Sequence, residues 1–330
     1  MLIQNLFLTF AITRTRQASQ RCSNERVVFF NMTRPFNKHY SSPHDLVDLL
    51  ISRRLTISDK LKAEKYLKNI GYYRLSAYMY PLLEAPKNLH QFKPGSSFSQ
   101  VLCIYRFDKK LRLLMFNEIE KIEIAVRSTI VDIASSSIPD PFWMTDAGNY
   151  SNPIKYQNMM AIIDTELRRS REDFIQHFYL TYSESYPPAW MLAEILPFGV
   201  ITGIYANLKD KSIKKRISQY FDLQIKPFES WLTIITLTRN ACCHHARVWN
   251  KRNTIRAMIP NTMLRPWITL PTDSLRIYFN LCIIKYFVDV ISQNNHMKKN
   301  LLDLLAQFPN IDIQAMGFPS NWEQEPIWQN

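Results

Sequence analysis

Between Trp231 and Asn250 the chain reads WLTIITLTRNACCHHARVWN, an apolar helix pattern that closes in a polar knot of Arg239, Asn240, His244, His245, Arg247 and Asn250. Two of the seven histidines sit side by side there, in a chain of formal net charge +13. A guanidinium cannot lose its proton at neutral pH, whereas imidazole titrates close to it. Together they can stabilise charge on a phosphate and move protons, which is the chemistry that cleaves RNA without a metal.

Spacing qualifies that chemistry. Positions 240, 244 and 247 recur at i, i+4 and i+7, which puts Asn240, His244 and Arg247 on one helical face. Arg239 and His244 stand five apart, about 140° around an ideal helix. They meet on one phosphate if the helix ends or bends between them, if Arg239 reaches around, or if a second copy supplies the partner. Two-fold pairing of such helices predicts a composite site. As a bare string, an arginine followed by four to six residues and a histidine is weak, and Arg34/His39 and Arg171/His177 also match it. Only the Arg239 match ends an apolar helix inside a basic block. Each residue of the knot also has a plainer reading. Paired histidines at a helix end can be satisfied by carbonyls and the helix dipole. Cys242 and Cys243 fit small buried sites, and Trp231 and Trp249 fit core anchors.

A chain of 330 residues suffices for a sizeable core. Only six glycines are present, with neither a Walker A loop nor G-x-G-x-x-G, which argues against ATPases and dinucleotide enzymes. Five cysteines (Cys22, Cys103, Cys242, Cys243, Cys282) without a C-x-x-C pair read as a reduced, cytoplasmic protein rather than a disulfide or zinc scaffold. No apolar run is long enough to span a membrane. No metal and no cofactor is expected. Positive charge is uneven: residues 205–260 carry eleven Lys and Arg against three Asp and Glu, whereas 261–330 carry five against six. Lys211, Lys214, Lys215, Arg216, Lys251 and Arg252 are therefore the expected RNA contacts; the plainer reading of 209–216 is a solvated helix face.

Alternating strand patterns are essentially absent, so the class is all-α. Residues 1–31 differ from the rest and read as an upstream extension before Met32, or else as an amphipathic arm. Ser42 with Pro43 predicts a helix start, Ser58 another, and Gly71 a stop. A short aromatic helix follows, then a loop over 84–97. Residues 97–137 form one long helix or two joined by a kink. Further helices are expected near 154–180, 188–208, 211–222, 227–249 and 273–306, with a loose end beyond. The expected organisation is an extension (1–31), a helical domain (32–270) and a C-terminal helical segment and tail (271–330).

Four stretches in order resemble the Abi-like proteins, the AbiD/AbiF group of bacterial abortive-infection proteins. They are IGYYRLSAYMYPL (70–82), FKPGSSFSQVLCIYRFDKKLRLLMFNEIEKIEIAVRS (92–128), PPAWMLAEILPFGVITGIY (187–205) and SWLTIITLTRNACCHHARVWN (230–250). That family is similar to HEPN domains, so the resemblance implies a HEPN-like helical bundle with additional N- and C-terminal helices. It implies that Arg239 and His244 are the motif's arginine and histidine, Asn240 its polar residue and His245 a doubled histidine. Cys243 stands where alanine is expected. The resemblance also singles out Glu120, Glu123 and Arg127, where a carboxylate aimed at the motif would orient Arg239 or His244. The plainer reading of those three is a solvated ion-pair face.

These readings converge on a metal-independent endoribonuclease of phage defence, working as a homodimer with RNA as substrate and an antitoxin or regulatory RNA as a possible restraint. His244 would do acid–base work, Asn240 would fix its tautomer or a phosphate oxygen, and His245 and Arg247 would support. The alternative is a catalytically silent RNA-binding or partner-binding protein. A third reading, nucleotidyl transfer, lacks its G-S…D-x-D motif in this chain.

Overall fold

Prolines and small polar caps divide this chain into helices before tertiary packing is considered. The computed structural model describes residues 39–329. The expected extension at 1–31 lies outside them, as does Arg34. The described residues contain twelve α-helices and no strand, so the fold is all-α.

Helix α1 (Pro43–Ser52) starts on Ser42, whose hydroxyl accepts the Asp45 amide while the Asp45 carboxylate takes the Ser42 amide. That is a capping box, with proline at the first helical position. Helix α2 (Lys60–Ile70) is capped by Asp59, one residue later than expected. Gly71, at φ +91° and ψ 136°, ends it and begins α3 (Tyr72–Met79). Only glycine enters that backbone region without strain, and it lets two helices meet with no linker.

Helix α4 (Phe98–Ser137) starts on Ser97 and runs unbroken for 40 residues, about 60 Å, so the long segment is one helix and not two. Its buried stripe is Val101, Ile104, Asp108, Leu111, Met115, Ile119, Ile122, Val126 and Ile130. The intervals of three and four residues carry one side of the helix into the core along its length.

The remaining helices are α5 (Pro153–Arg169), α6 (Asp173–Thr181), α7 (Ala189–Ile195), α8 (Phe198–Asn207), α9 (Lys211–Tyr220), α10 (Ile225–Cys243), α11 (Ile277–Ile291) and α12 (Met297–Gln307). Three stretches expected as single helices are pairs. The first breaks after Arg169, where Ser170 turns extended and its hydroxyl accepts the Glu172 amide. The second breaks at Pro197, which forces Leu196 out of the helical region. The third breaks where the Asn295 amide group donates to Asp289 and to the Ser292 carbonyl, offering the backbone an alternative to the helix.

Helices α3, α7, α8, α9, α10, α11 and α12 all pack on α4. Every residue of α11 from Ile277 to Val288 is buried, including Lys285, whose ammonium sits 2.5 and 2.6 Å from the Asp289 carboxylate oxygens. No helix among the described residues is long and apolar enough to cross a membrane.

The expected loose end is also corrected. Trp322, Ile327 and Trp328 are buried, the Trp328 indole donates to the Tyr278 hydroxyl at 3.2 Å, and Phe318 packs on the Tyr278 ring. The buried Glu325 carboxylate accepts the amides of Thr269 and Leu270. These aromatics complete an apolar surface on α11 that water would otherwise wet.

Candidate active site

The motif lies where α10 stops. Trp231, Leu232, Ile234, Ile235, Thr238 and Cys242 face the core and fix the helix against α4 and α11. Burial pushes the Cys242 thiol up to about 12, which keeps it a protonated packing group. The helix ends at Cys243, not near 249 as expected. The His245 amide donates to the Cys242 carbonyl at 3.1 Å and the Ala246 amide to the Ala241 carbonyl at 2.8 Å. This pair of bonds is a Schellman cap, and the residue in its left-handed position is His245, at φ +55°. Glycine normally stands there. A histidine costs about 1 kcal/mol of backbone strain, and strain of this kind concentrates at functional sites.

Two consequences correct the helical-face geometry. His244 caps the helix, and Arg247 lies beyond it, so Asn240, His244 and Arg247 do not form one helical face. Arg247 is half-buried and donates to the Ala77 carbonyl at 3.1 Å. Asn250, at φ +48°, accepts a bond from Arg276. The helix does end between Arg239 and His244, which is the first of the conditions for their convergence. The His244 and His245 side chains are exposed, and Asn240 is half-buried.

Four side chains from α3 and α4 hold this cap from below. Asp108 is fully buried and accepts the amides of Val248 at 3.1 Å and Trp249 at 2.6 Å through one oxygen. Its other oxygen accepts the Tyr78 hydroxyl at 2.6 Å and the Arg112 guanidinium. Arg112 also donates to the Ala246 carbonyl at 3.3 Å. Burial, and then the neighbouring carboxylate, push the Tyr78 hydroxyl far above its usual range, so it remains a donor. From α3, Arg74 donates to the His245 carbonyl at 2.6 Å. None of these four residues was singled out from sequence. The available signal was Asp108 interrupting the apolar stripe of α4, with Arg112 one turn later.

Of the three residues noted on α4, two join the motif. Glu123 takes Arg239 Nε on one oxygen at 3.3 Å and Arg127 on the other at 3.1 Å. Arg127 in turn caps the C-terminal end of α7 by donating to the Ala193 and Leu196 carbonyls. A carboxylate that is 16 % exposed thus orients a guanidinium that is 32 % exposed. Arg239's terminal nitrogens make no hydrogen bond among the described residues. Glu120 lies on the exposed side and takes no part.

The basic residues divide. Lys211 and Lys215 are exposed on α9, Lys251 and Arg252 are exposed after the motif, and Arg216 is exposed with one contact to Ser137. Arg252 lies 3.5 Å from Asp273. Lys214 departs from the expected RNA-facing set. It is buried, pairs with Glu229 at 2.6 Å, donates to the Ala206 carbonyl and lies over the Tyr205 ring. Three consecutive cations, Lys214, Lys215 and Arg216, cannot all face water on an amphipathic helix, and position 214 falls beside the buried Ile213 and one turn before the buried Ile217.

His177 of the third string match is exposed on α6, and its one hydrogen-bond partner among the described residues is Thr181. Among the described residues no group of three or more His, Cys, Asp or Glu is arranged to hold a metal ion. A cavity of about 480 Å³ between α4 and α12, lined by Lys110, Glu118 and Asp303 among others, contains no motif residue.

The family model described as Abi-like protein matches residues 65–250, ending at the last residue of the polar knot. No curated protein and no solved structure matches the chain.

Proposed function

The chain belongs to the Abi-like protein family, and from that premise we propose that it is a metal-independent endoribonuclease of bacterial abortive infection. The observation that carries this reading is the helix end itself. It presents two exposed imidazoles on a strained cap, clamped from beneath, in the turn that follows an arginine held by a carboxylate.

In the proposed reaction one imidazole takes the proton of a ribose 2′-hydroxyl, and that oxygen attacks the adjacent phosphorus. The bond from phosphorus to the 5′-oxygen breaks, and the leaving oxygen receives a proton from a second donor. Products carry a 2′,3′-cyclic phosphate and a 5′-hydroxyl. His244 is the acid–base residue, His245 the second donor, and Arg239 stabilises charge on the pentacoordinate phosphate. Glu123 and Arg127 position Arg239. Each chain brings one such set, and two copies facing each other supply a composite cleft. The exposed cations of α9 and the segment after the motif carry the sequence-independent part of RNA binding.

The Arg239–Glu123 ion pair also favours a second reading, in which the motif is architectural and the basic surface binds RNA or a partner without turnover. Expression in bacteria separates the two. Wild type arrests growth and leaves RNA fragments with 2′,3′-cyclic phosphate ends, whereas Arg239→Ala and His244→Ala do neither. Equal toxicity of all three proteins overturns the nuclease reading.

A further inference from the structure

We propose that the outer side of α3 and of the turn that follows it, built on Tyr73 and Tyr80, is a base-stacking subsite that holds an unpaired stretch of RNA beside the motif; the proposal rests on RNA being the substrate. The three tyrosines of α3 have different fates. Tyr72 is half-buried and accepts from Arg53 at 3.3 Å, and Tyr78 is buried on Asp108. Tyr73 is 91 % exposed, so its ring adds nothing to the core. Tyr80, seven residues on and 56 % exposed, follows on the same side of the segment. Two exposed rings on one side of the segment form a small apolar surface that a partner can cover.

This face adjoins the motif. Arg74, next to Tyr73, reaches the His245 carbonyl, and Ala77, between the two tyrosines, receives Arg247. The occupant is identified by charge. Residues 72–93 carry Arg74, Lys87 and Lys93 against Glu84 alone, and Lys87 holds its ammonium 4.2 Å from the centre of the Tyr80 ring. Cations interleaved with exposed aromatic rings match a phosphate backbone with splayed bases. A base pair buried in a duplex offers no free face to such a ring, so the subsite selects single strands. It would place an unstacked nucleotide next to the imidazoles.

The test uses the full chain and fluorescein-labelled 2′-O-methyl oligonucleotides, which bind without being cleaved. Single-stranded twelve-mers of U and of A are compared with a twelve-base-pair duplex by anisotropy. Single strands bind wild type more tightly than the duplex does, Tyr73→Ala loses about tenfold, and Tyr73→Phe stays within about twofold of wild type because the ring is retained. Equal binding by Tyr73→Ala and wild type overturns the subsite. So does an equal loss in Tyr73→Phe, or a changed oligomeric state in Tyr73→Ala at unchanged RNA affinity, which would make this face a contact between copies. The two proposals fail separately. Tyr73-dependent binding with no cleavage of unmodified RNA supports the subsite and removes the nuclease reading. Cleavage that ignores Tyr73 does the reverse.

Discussion

Removing the Asp108 carboxylate tests the clamp beneath the motif. Asp108→Ala leaves the Arg112 guanidinium, 6 % exposed, without its counter-ion. It also leaves the Tyr78 hydroxyl and the amides of Val248 and Trp249 without their acceptor. Breaking a buried pair from one side costs about 3–5 kcal/mol. The upper half of that range applies here because two backbone donors are orphaned as well. Against a domain stability of about 5–15 kcal/mol that is a large share. Asp108→Asn keeps an oxygen for the two amides but turns an NH₂ toward Arg112, so it retains only part of the loss. Tyr78→Phe removes one hydrogen bond and costs about 1 kcal/mol. Arg112→Met added to Asp108→Ala removes the stranded charge and recovers about 1–3 kcal/mol, a coupling expected of residues in one network. Urea titration followed by tryptophan fluorescence measures the series, and hydrogen exchange of the 244–250 peptide locates it. A loss below about 1 kcal/mol for Asp108→Ala, with unchanged exchange at 248 and 249, would refute the clamp.

Other perturbations read other parts of the account. Glu123→Gln leaves Arg239 and Arg127 without their shared charge; RNA turnover is expected to fall about tenfold, equivalent to ~1.4 kcal/mol, in kcat rather than KM, and an unchanged kcat would show that Glu123 does not position the arginine. Hydrogen bonding to Glu64, with help from Asp48, raises the His44 pKa above 6.5. Its contribution to the α1–α2 contact is therefore complete below pH 6.5 and is lost as pH rises through the raised value. A proton NMR titration of His44 with its midpoint below 6.5 would contradict this. Gly317 has φ +89°, and an added Cβ would lie 2.5 Å from Arg276 Cβ. Gly317→Ala is expected to cost about 2–3 kcal/mol in urea titration, and a cost near zero would mean that the tail does not pack on Arg276 as described.

Local rules carried much of the fold. Ser42–Pro43, Ser97 and Gly71 each marked a helix end through chemistry confined to a few residues, and the proline- and glycine-free run after Ser97 became one helix. The missed breaks at Ser170 and Asn295 have no proline or glycine; side-chain bonds to the backbone ended those helices, and an apolar period does not register them. Lys214 was misplaced because a string of like charges conceals which member meets Ile213 and Ile217 inside. At the site, Arg239 and His244 stood out by type, and Glu123 only through the family resemblance. Asp108 and Arg112 did not, because their importance depends on a loop 140 residues away. Helical spacing beyond Cys243 misled for a related reason: the cap at His245 is formed without the glycine that would have announced it.

The central claim is that Arg239 and His244 act together on a ribose phosphate. Single-turnover cleavage of an end-labelled RNA by purified wild type, Arg239→Ala and His244→Ala, with and without EDTA, addresses it most directly. The account predicts EDTA-resistant cleavage to 2′,3′-cyclic phosphate ends by wild type, and loss of at least about a hundredfold in each variant. Cleavage that survives in His244→Ala at the wild-type rate, or that EDTA abolishes, contradicts it.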